Sequence, residues 1–170
     1  MTGARDELLV LYDSALPLVY GYLLPRCGSK ALADDLTSVT FLAAVDATRS
    51  GEPPRMGVPW IIGVARNKLL DHWRHQYRDE RRRRAVADDP PLVDDPWDVE
   101  LDIVLAHEVL QQLEPHHRAA LTLRYLDDLP VPRVAALLER SVHATEVLLV
   151  RARAAFRRAY RMPTGEESDV

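Results

Sequence analysis

The sequence predicts an all-α protein made of two small helical domains. Apolar residues recur at helical spacing along most of the chain, and few segments alternate as a β-strand would. A segment that is both acidic and proline-rich interrupts this pattern near the middle of the chain. The 170 residues suffice for one ordinary domain or two small ones, and the interruption favours two.

A long amphipathic helix is predicted first, over residues 5–24. Pro17 lies inside it and is expected to kink or split it. Residues 25–30, which include Gly28, are predicted to form a turn. The chain has no run of about 18 apolar residues and no signal-peptide cleavage pattern, so we expect neither a membrane span nor a secretory leader.

A second helix is predicted over residues 31–48. Asp34 and Asp35 are expected in its first turn, where the helix dipole favours acidic side chains. Its buried stripe is predicted to contain six apolar residues: Leu32, Leu36, Val39, Phe41, Leu42 and Val45. The following residues 50–59 hold two glycines and three prolines, and they are therefore predicted to form a loop.

A third helix is predicted to begin near Pro59 or Trp60 and to end near Arg84. Trp60 and Trp73 share its apolar stripe, so core packing is the favoured interpretation of both rings, and stacking on nucleic-acid bases is the alternative. Residues 85–98 (AVADDPPLVDDPWD) have no helical period and are predicted to form a linker.

The net charge of −4 conceals an uneven distribution of charges. Residues 66–84 carry eight basic groups against three acidic ones, and residues 147–161 carry five arginines and no acid. Between them, residues 85–102 carry seven acids and no base. This pattern indicates two anion-facing surfaces joined by a linker. For the arginines at 81–84, a solvated helix end remains an equally good interpretation.

The second half of the chain predicts four further helices and a tail. Ser141 is a plausible N-cap for the last of them. A short helix, a tight turn and a longer basic helix are typical of a helix-turn-helix motif. The predicted helices cover residues 99–113, 115–126, 132–138 and 142–160, and the tail at 163–170 is predicted to be disordered.

The residues that usually mark an enzyme or a metal site are missing from the sequence. His107-Glu108 is not followed by the second histidine of a zinc-protease helix, and no glycine-rich phosphate loop or GxSxG motif occurs. Cys27 is the single cysteine, and it is interpreted as a small buried or partly exposed residue rather than a redox sensor. We therefore expect a cytoplasmic protein with no enzymatic activity, no cofactor and no metal.

Four segments resemble bacterial extracytoplasmic-function (ECF) sigma factors of the sigma-70 family. PWIIGVARNKLLDHWR (59–74) resembles their promoter-reading helix, and ADDLTSVTFLAAVDA (33–47) is similar to their polymerase-docking helix. LEPHHRAALTLRYLDDLPVPRVAALL (113–138) resembles the start of their second domain, and RARAAFRR (151–158) the end of its DNA-recognition helix. The segments follow the family's order over residues 8–160, approximately.

The resemblance implies an alternative sigma factor that binds RNA polymerase core and directs it to promoters with −10 and −35 elements. It implies a region 2-like domain over residues 1–84, the linker at 85–98 and a region 4-like domain over residues 99–162. Core polymerase, promoter DNA and an anti-sigma factor are the implied partners.

The resemblance also assigns residues of the first domain to two surfaces. The loop at 50–58 is the one that holds a flipped base in the family. Cations of the third helix can bind phosphates, and the Asn67 amide can pair with a base edge, although a partner within the protein is the alternative for Asn67. The −10 set is Arg66, Asn67, Lys68, Asp71, Arg74 and Arg78, and the polymerase-docking set is Asp34, Asp35, Thr37, Ser38 and Thr40.

The second domain departs from the family pattern in its recognition helix. The family's basic and small polar positions fall on Glu146, Val147 and Leu148. Glutamate can accept from cytosine N4, and the aliphatic side chains can contact a thymine methyl group. Arginines can hold backbone phosphates. The −35 set is Arg140, Glu146, Arg151, Arg153 and Arg157, and Arg158 is a further phosphate-binding candidate.

The four consecutive apolar residues 147–150 suggest a covered surface. They span more than one stripe of a helix, so we expect an anti-sigma partner or the first domain to cover some of them. One alternative function is a sigma-like interaction protein whose second domain contacts protein rather than −35 DNA. Another is an ordinary helix-turn-helix repressor, which would leave the resemblances at 33–47 and 59–74 unexplained.

Overall fold

The computed structural model describes residues 3–83 and 102–161, and these residues form helices without any β-strand. The predicted all-α class is therefore confirmed. The chain divides into two compact units, Met1–His72 and Trp73–Val170. The predicted linker at 85–98 and the tail at 163–170 lie outside the described residues.

Seven α-helices and one π-helical segment make up the described part of the chain. The first unit contains α1, α2 and the beginning of α3, and the second contains the remaining elements. In chain order they are α1 (Gly3–Cys27), α2 (Lys30–Thr48), α3 (Val58–Arg83), α4 (Ile103–Gln112), α5 (Pro115–Leu121), the π-helical segment (Thr122–Leu126), α6 (Val131–Leu137) and α7 (Val142–Arg161).

The first helix is longer than the sequence predicts. It continues through Pro17 and Pro25 and ends at Cys27, so the predicted turn at 25–30 begins too early. Pro25 lies in the last turn, where its missing N–H removes only one helical hydrogen bond. The chain reverses at Gly28, whose φ of 66° suits glycine. Ser29 then caps α2, since its hydroxyl accepts from the Leu32 N–H at 3.4 Å.

Among the described helices, α1 is long and apolar enough to pass the test for a membrane span by length and composition. This is weak evidence for a membrane span, because the core helix of a soluble protein passes the same test.

The buried stripe of α1 packs against α2. The Tyr12 and Phe41 rings meet edge to face between the two helices, with centroids 4.7 Å apart. The buried residues of α1 are Leu8, Ala15, Val19, Leu23 and Cys27.

The second unit is built around α7. This helix packs against α4, α5 and α6. Leu148 and Leu149 lie in the core of the unit, 5% and 2% exposed. The buried cluster consists of Val109, Leu110, Leu113, Ala120, Leu121, Leu148, Leu149, Ala152 and Phe156.

The α6–α7 pair forms the predicted helix-turn-helix. After α6, Glu139 adopts a φ of 55°, and the Arg140 N–H donates to the Ala135 carbonyl at 3.0 Å. This closes the end of α6 in the manner of a Schellman turn. The Ser141 hydroxyl accepts from the Ala144 N–H at 3.1 Å, which confirms the predicted cap of α7.

Two polar side chains near the start of α5, Arg118 and His116, are partly buried in the second unit. The Arg118 guanidinium donates to three carbonyls at the end of α4, those of Leu110, Gln111 and Leu113, at 2.7 to 3.1 Å. Carbonyls in the last turn of a helix lack the usual backbone donor four residues further on, and that of Leu110 also accepts from the Leu113 N–H at 3.3 Å. Burial, together with the nearby charges of His117 and Arg140, lowers the pKa of His116 to about 3.

Candidate nucleic-acid interface

The exposed face of α3 carries the residues predicted to read the −10 element. Asn67, Asp71 and Arg78 are exposed, and Arg66 and Lys68 are partly buried. Asn67 and Asp71 are four residues apart and therefore lie on the same side of the helix, one turn from each other. This arrangement presents an amide and a carboxylate to solvent, with cations nearby on the helix.

Two of the predicted phosphate-binding arginines have partners within the protein. The Arg74 guanidinium is partly buried and donates to the backbone carbonyl of Leu137. An Arg78 guanidinium nitrogen lies 3.1 Å from His75 Nδ1. Arg74 is therefore not a simple solvated cation in this structure, whereas Arg78 remains on the exposed surface.

The recognition helix α7 is divided into two parts by charge. Its first half, taken as residues 142–150, exposes Val142, His143 and Glu146, and contains no arginine or lysine. Its second half, residues 151–161, carries all five arginines of the helix, of which Arg151, Arg153 and Arg157 are partly buried. Arg153 also donates to the Tyr125 hydroxyl at 3.2 Å. Arg140, in the turn before α7, is exposed.

The interpretation of residues 147–150 as a covered interface is wrong for Leu148. This residue and Leu149 are buried among side chains of their own unit, so neither an anti-sigma factor nor the first domain is needed to cover them. Val147 and Val150 are partly buried. The four residues form a wide apolar face because α7 contacts three other helices.

The structure corrects the predicted docking face of α2. Asp34, Asp35 and Ser38 are exposed, but Thr37 and Thr40 are 6% and 0% exposed, on the core side of the helix. The Thr40 hydroxyl donates to the Leu36 carbonyl at 2.7 Å, which satisfies this buried group. The two acids also lie beyond the first turn, because α2 already begins at Lys30.

Two aliphatic residues complete the exposed face of α2. Val39 and Leu42 were expected in the buried stripe, yet they are 41% and 64% exposed. Their positions follow from helical spacing, since residues 34, 35, 38, 39 and 42 form one continuous face. The signal in the sequence is that Val39 is four residues after Asp35 and Leu42 is four residues after Ser38, which groups them with the polar side chains. A mixed aliphatic and acidic surface of this kind suits a protein partner.

The remaining predicted candidates are buried or partly buried side chains. Trp73 is 2% exposed, so its ring packs in the core, and Trp60 is partly buried. Cys27 is buried, and burial raises the pKa of its thiol to about 11, which disfavours the reactive thiolate. Within residues 3–83 and 102–161, no three His, Cys, Asp or Glu side chains are grouped to hold a metal ion.

The fold and the surfaces together define a class of protein. The long helix α3 carries an exposed amide together with several cations, and the second unit carries a helix-turn-helix with a basic second helix. These are features of a two-domain, helical protein that binds nucleic acid.

Comparisons with known proteins identify the family within this class. The Sigma-70 region 2 family model matches residues 11–79, and the Sigma-70 region 4 model matches residues 103–156. The chain is 31% identical over 137 residues to the RNA polymerase sigma factor CarQ of Myxococcus xanthus, covering 79% of this chain and 78% of CarQ.

Two further comparisons agree with this result. The chain is 31% identical over 156 residues to the ECF RNA polymerase sigma factor BldN of Streptomyces coelicolor, which covers 88% of this chain but only 59% of BldN. The solved structure of the Bartonella quintana sigma factor RpoE, in complex with the anti-sigma factor NepR, superposes with a TM-score of 0.54 at 18% identity. That superposition covers 96% of this chain and 99% of the RpoE chain, and it supports the fold. The chain belongs to the ECF group of RNA polymerase sigma factors in the sigma-70 family.

Proposed function

We propose that this protein is an alternative sigma factor, which binds RNA polymerase core in the cytoplasm and directs initiation at a subset of promoters. Region 2-like residues 1–84 dock on the polymerase and read the −10 element, and region 4-like residues 99–162 bind the −35 element. A protein with this function is a regulator of transcription and has no enzymatic activity of its own. From the family we also expect an anti-sigma factor as a regulatory partner.

The observation that carries the proposal is the exposed face of α2. Asp34, Asp35 and Ser38 surround two solvent-exposed aliphatic side chains, Val39 and Leu42. Exposing these aliphatic groups gives up free energy that burial would recover. A protein surface that covers Val39 and Leu42 and presents cations to the two aspartates would recover it and fix the orientation of binding.

The surfaces on α3 and α7 supply the DNA contacts of the proposal. Asn67 has an exposed amide that can pair with the edge of an unstacked base, and Lys68 and Arg78 can bind the neighbouring phosphates. On α7, arginines of the second half can hold backbone phosphates and so position the first half of the helix in the major groove.

Core polymerase binding tests the docking surface. Fluorescently labelled protein is titrated with core RNA polymerase, and the Kd is compared with that of Asp35→Lys and of Asp13→Lys. Both replaced residues are exposed aspartates, on α2 and α1 respectively. We expect Asp35→Lys to weaken binding at least tenfold and Asp13→Lys to leave it within twofold. Absence of any binding to core polymerase would contradict the proposed function.

A second candidate function rests on the first half of α7. Because it offers no cation, it can belong to a sigma-like protein whose second domain contacts a protein partner instead of −35 DNA. In that case the protein binds core polymerase, but transcription by the resulting holoenzyme does not depend on the sequence upstream of the −10 element.

A further inference from the structure

We propose that Glu146 reads a cytosine in the −35 element, so that this sigma factor selects promoters through an acidic contact in the major groove. The inference rests on the proposed function and specifies the DNA sequence that its second domain recognises. Glu146 would then be the main determinant of sequence preference on α7, and the arginines would supply affinity without sequence preference.

The position of Glu146 on the recognition helix is the first support. It lies one turn into α7, and the N-terminal residues of a recognition helix are those that reach base edges. Its neighbours on the core side, Thr145, Leu148 and Leu149, are buried in the second unit. The exposed Glu146 side chain therefore lies on the opposite side, away from that core.

The residues along the same face provide the second support. Val142 and Val150 lie one turn before and one turn after Glu146, and Arg153 and Arg157 continue the face toward the C-terminus. Along this face, the Glu146 carboxylate lies between the aliphatic side chains of Val142 and Val150, and cations follow toward the C-terminus. Cations suit phosphates, and the carboxylate with its aliphatic neighbours is left to contact the bases.

The chemistry of the base edges selects cytosine. A carboxylate oxygen can only accept a hydrogen bond, so it needs a donor in the major groove, and the donors there are cytosine N4 and adenine N6. Adenine has the N7 acceptor beside its N6 amino group, and N7 repels a carboxylate. Cytosine has no acceptor on the C5 side of its amino group. Val142 and Val150 can contact the methyl group of a thymine next to that cytosine.

The side chain of Glu146 has no structural role that would account for it. Among the described residues it forms no hydrogen bond or ion pair, and it is exposed. Its removal is therefore expected to change the free energy of unfolding by less than about 0.5 kcal/mol. Effects of its substitution on promoter choice can be attributed to DNA contacts.

Selection from a promoter library tests the inference. Holoenzyme formed from core RNA polymerase and the full chain transcribes a pool with a fixed −10 element and a randomised upstream segment, and the transcribed templates are sequenced. The variants are Glu146→Ala and Glu146→Gln, and the matched control is Glu108→Ala, which removes an exposed glutamate from α4.

The expected result is one position at which the wild type and Glu108→Ala enrich cytosine. Glu146→Ala should reduce that preference roughly 5- to 150-fold and leave the other positions unchanged, and Glu146→Gln should shift it toward adenine. If no position prefers cytosine, or if the preference survives in Glu146→Ala, the inference is overturned. If no template is transcribed by any holoenzyme, the proposed function itself fails, and this inference fails with it.

Discussion

At the scale of single residues, the proposed base contact of Asn67 links the exposed face of α3 to promoter opening. Its amide is exposed on the face that also presents Asp71. Asn67→Ala should reduce transcription from a cognate promoter about 10- to 100-fold, because unstacking a base costs a few kcal/mol that pocket contacts must offset. The measurement is run-off transcription at saturating core polymerase.

A matched substitution separates this effect from a loss of stability. Gln112→Ala removes an exposed amide from the end of α4, which is a different helix from α3. It should leave transcription within twofold, and both variants should unfold at the same temperature as the wild type. Normal transcription by Asn67→Ala would show that the amide does not contact the DNA.

His116 makes the stability of the second unit depend on pH. Its pKa is lowered from the usual 6.5 to about 3, mainly by burial, so the folded state favours the neutral ring. Stability is therefore greatest above pH 6.5, where the unfolded state is also neutral. It falls progressively as the pH drops from about 6.5 to 3, because the unfolded state then binds a proton that the folded state excludes.

Chemical denaturation at a series of pH values measures this dependence. His116→Leu should flatten the decline in the unfolding midpoint below pH 6.5, and His143→Leu, at an exposed position of α7, should preserve it. An identical decline in the wild type and His116→Leu would mean that other groups determine the acid sensitivity.

At the scale of elements, α7 serves both as the recognition helix and as the core of its unit. Leu148→Ala should destabilise the second unit by about 2–4 kcal/mol, since it removes a buried aliphatic side chain from that core. The partly buried Val147 supplies the comparison, and Val147→Ala should cost less than half as much. Equal losses of unfolding free energy in the two variants, measured by urea denaturation, would contradict the division of α7 into a buried core side and a more exposed side.

Arg118 fixes the end of α4 against the beginning of α5. Arg118→Met keeps most of the aliphatic stem but leaves three carbonyls without their charged donor. We expect a loss of at least about 2 kcal/mol in unfolding free energy, since a hydrogen bond to a charged group contributes about 1.5–3 kcal/mol. Arg161→Met, at an exposed position, is the control and should be neutral. Unchanged stability of Arg118→Met in thermal unfolding would show that water replaces the guanidinium.

Most of the helical architecture was predictable from local sequence signals. Helical spacing and the capping residues Ser141 and Gly28 act within one or two turns, so the helices were placed within a few residues. The face of each helix was harder to predict. Threonine and valine are acceptable on either side of a helix, and only the packing of α1 against α2 shows that Thr37 and Thr40 face inward and Val39 outward. The π-helical segment at Thr122–Leu126 has no recognisable sequence signal.

At the scale of the whole molecule, local charge patches rather than net charge must attract the DNA. The chain carries a net charge of −4, yet its basic residues are concentrated on α3 and α7. Promoter binding by the holoenzyme should therefore weaken steeply with salt, because each neutralised phosphate releases counterions.

Arg157→Ala should reduce the magnitude of the slope of log K against log salt concentration by about 0.9, and Arg5→Ala, on α1, should leave it unchanged. Filter binding across a range of salt concentrations measures both slopes, and an unchanged slope for Arg157→Ala would argue against a phosphate contact there.

The most direct test of the central claim is transcription by core RNA polymerase on a pool of promoter fragments, with and without this protein. The proposed function predicts that adding the protein produces a defined set of transcripts, and that these transcripts share a −10 and a −35 motif. The same transcript pattern with and without the protein would contradict the conclusion that it directs promoter selection.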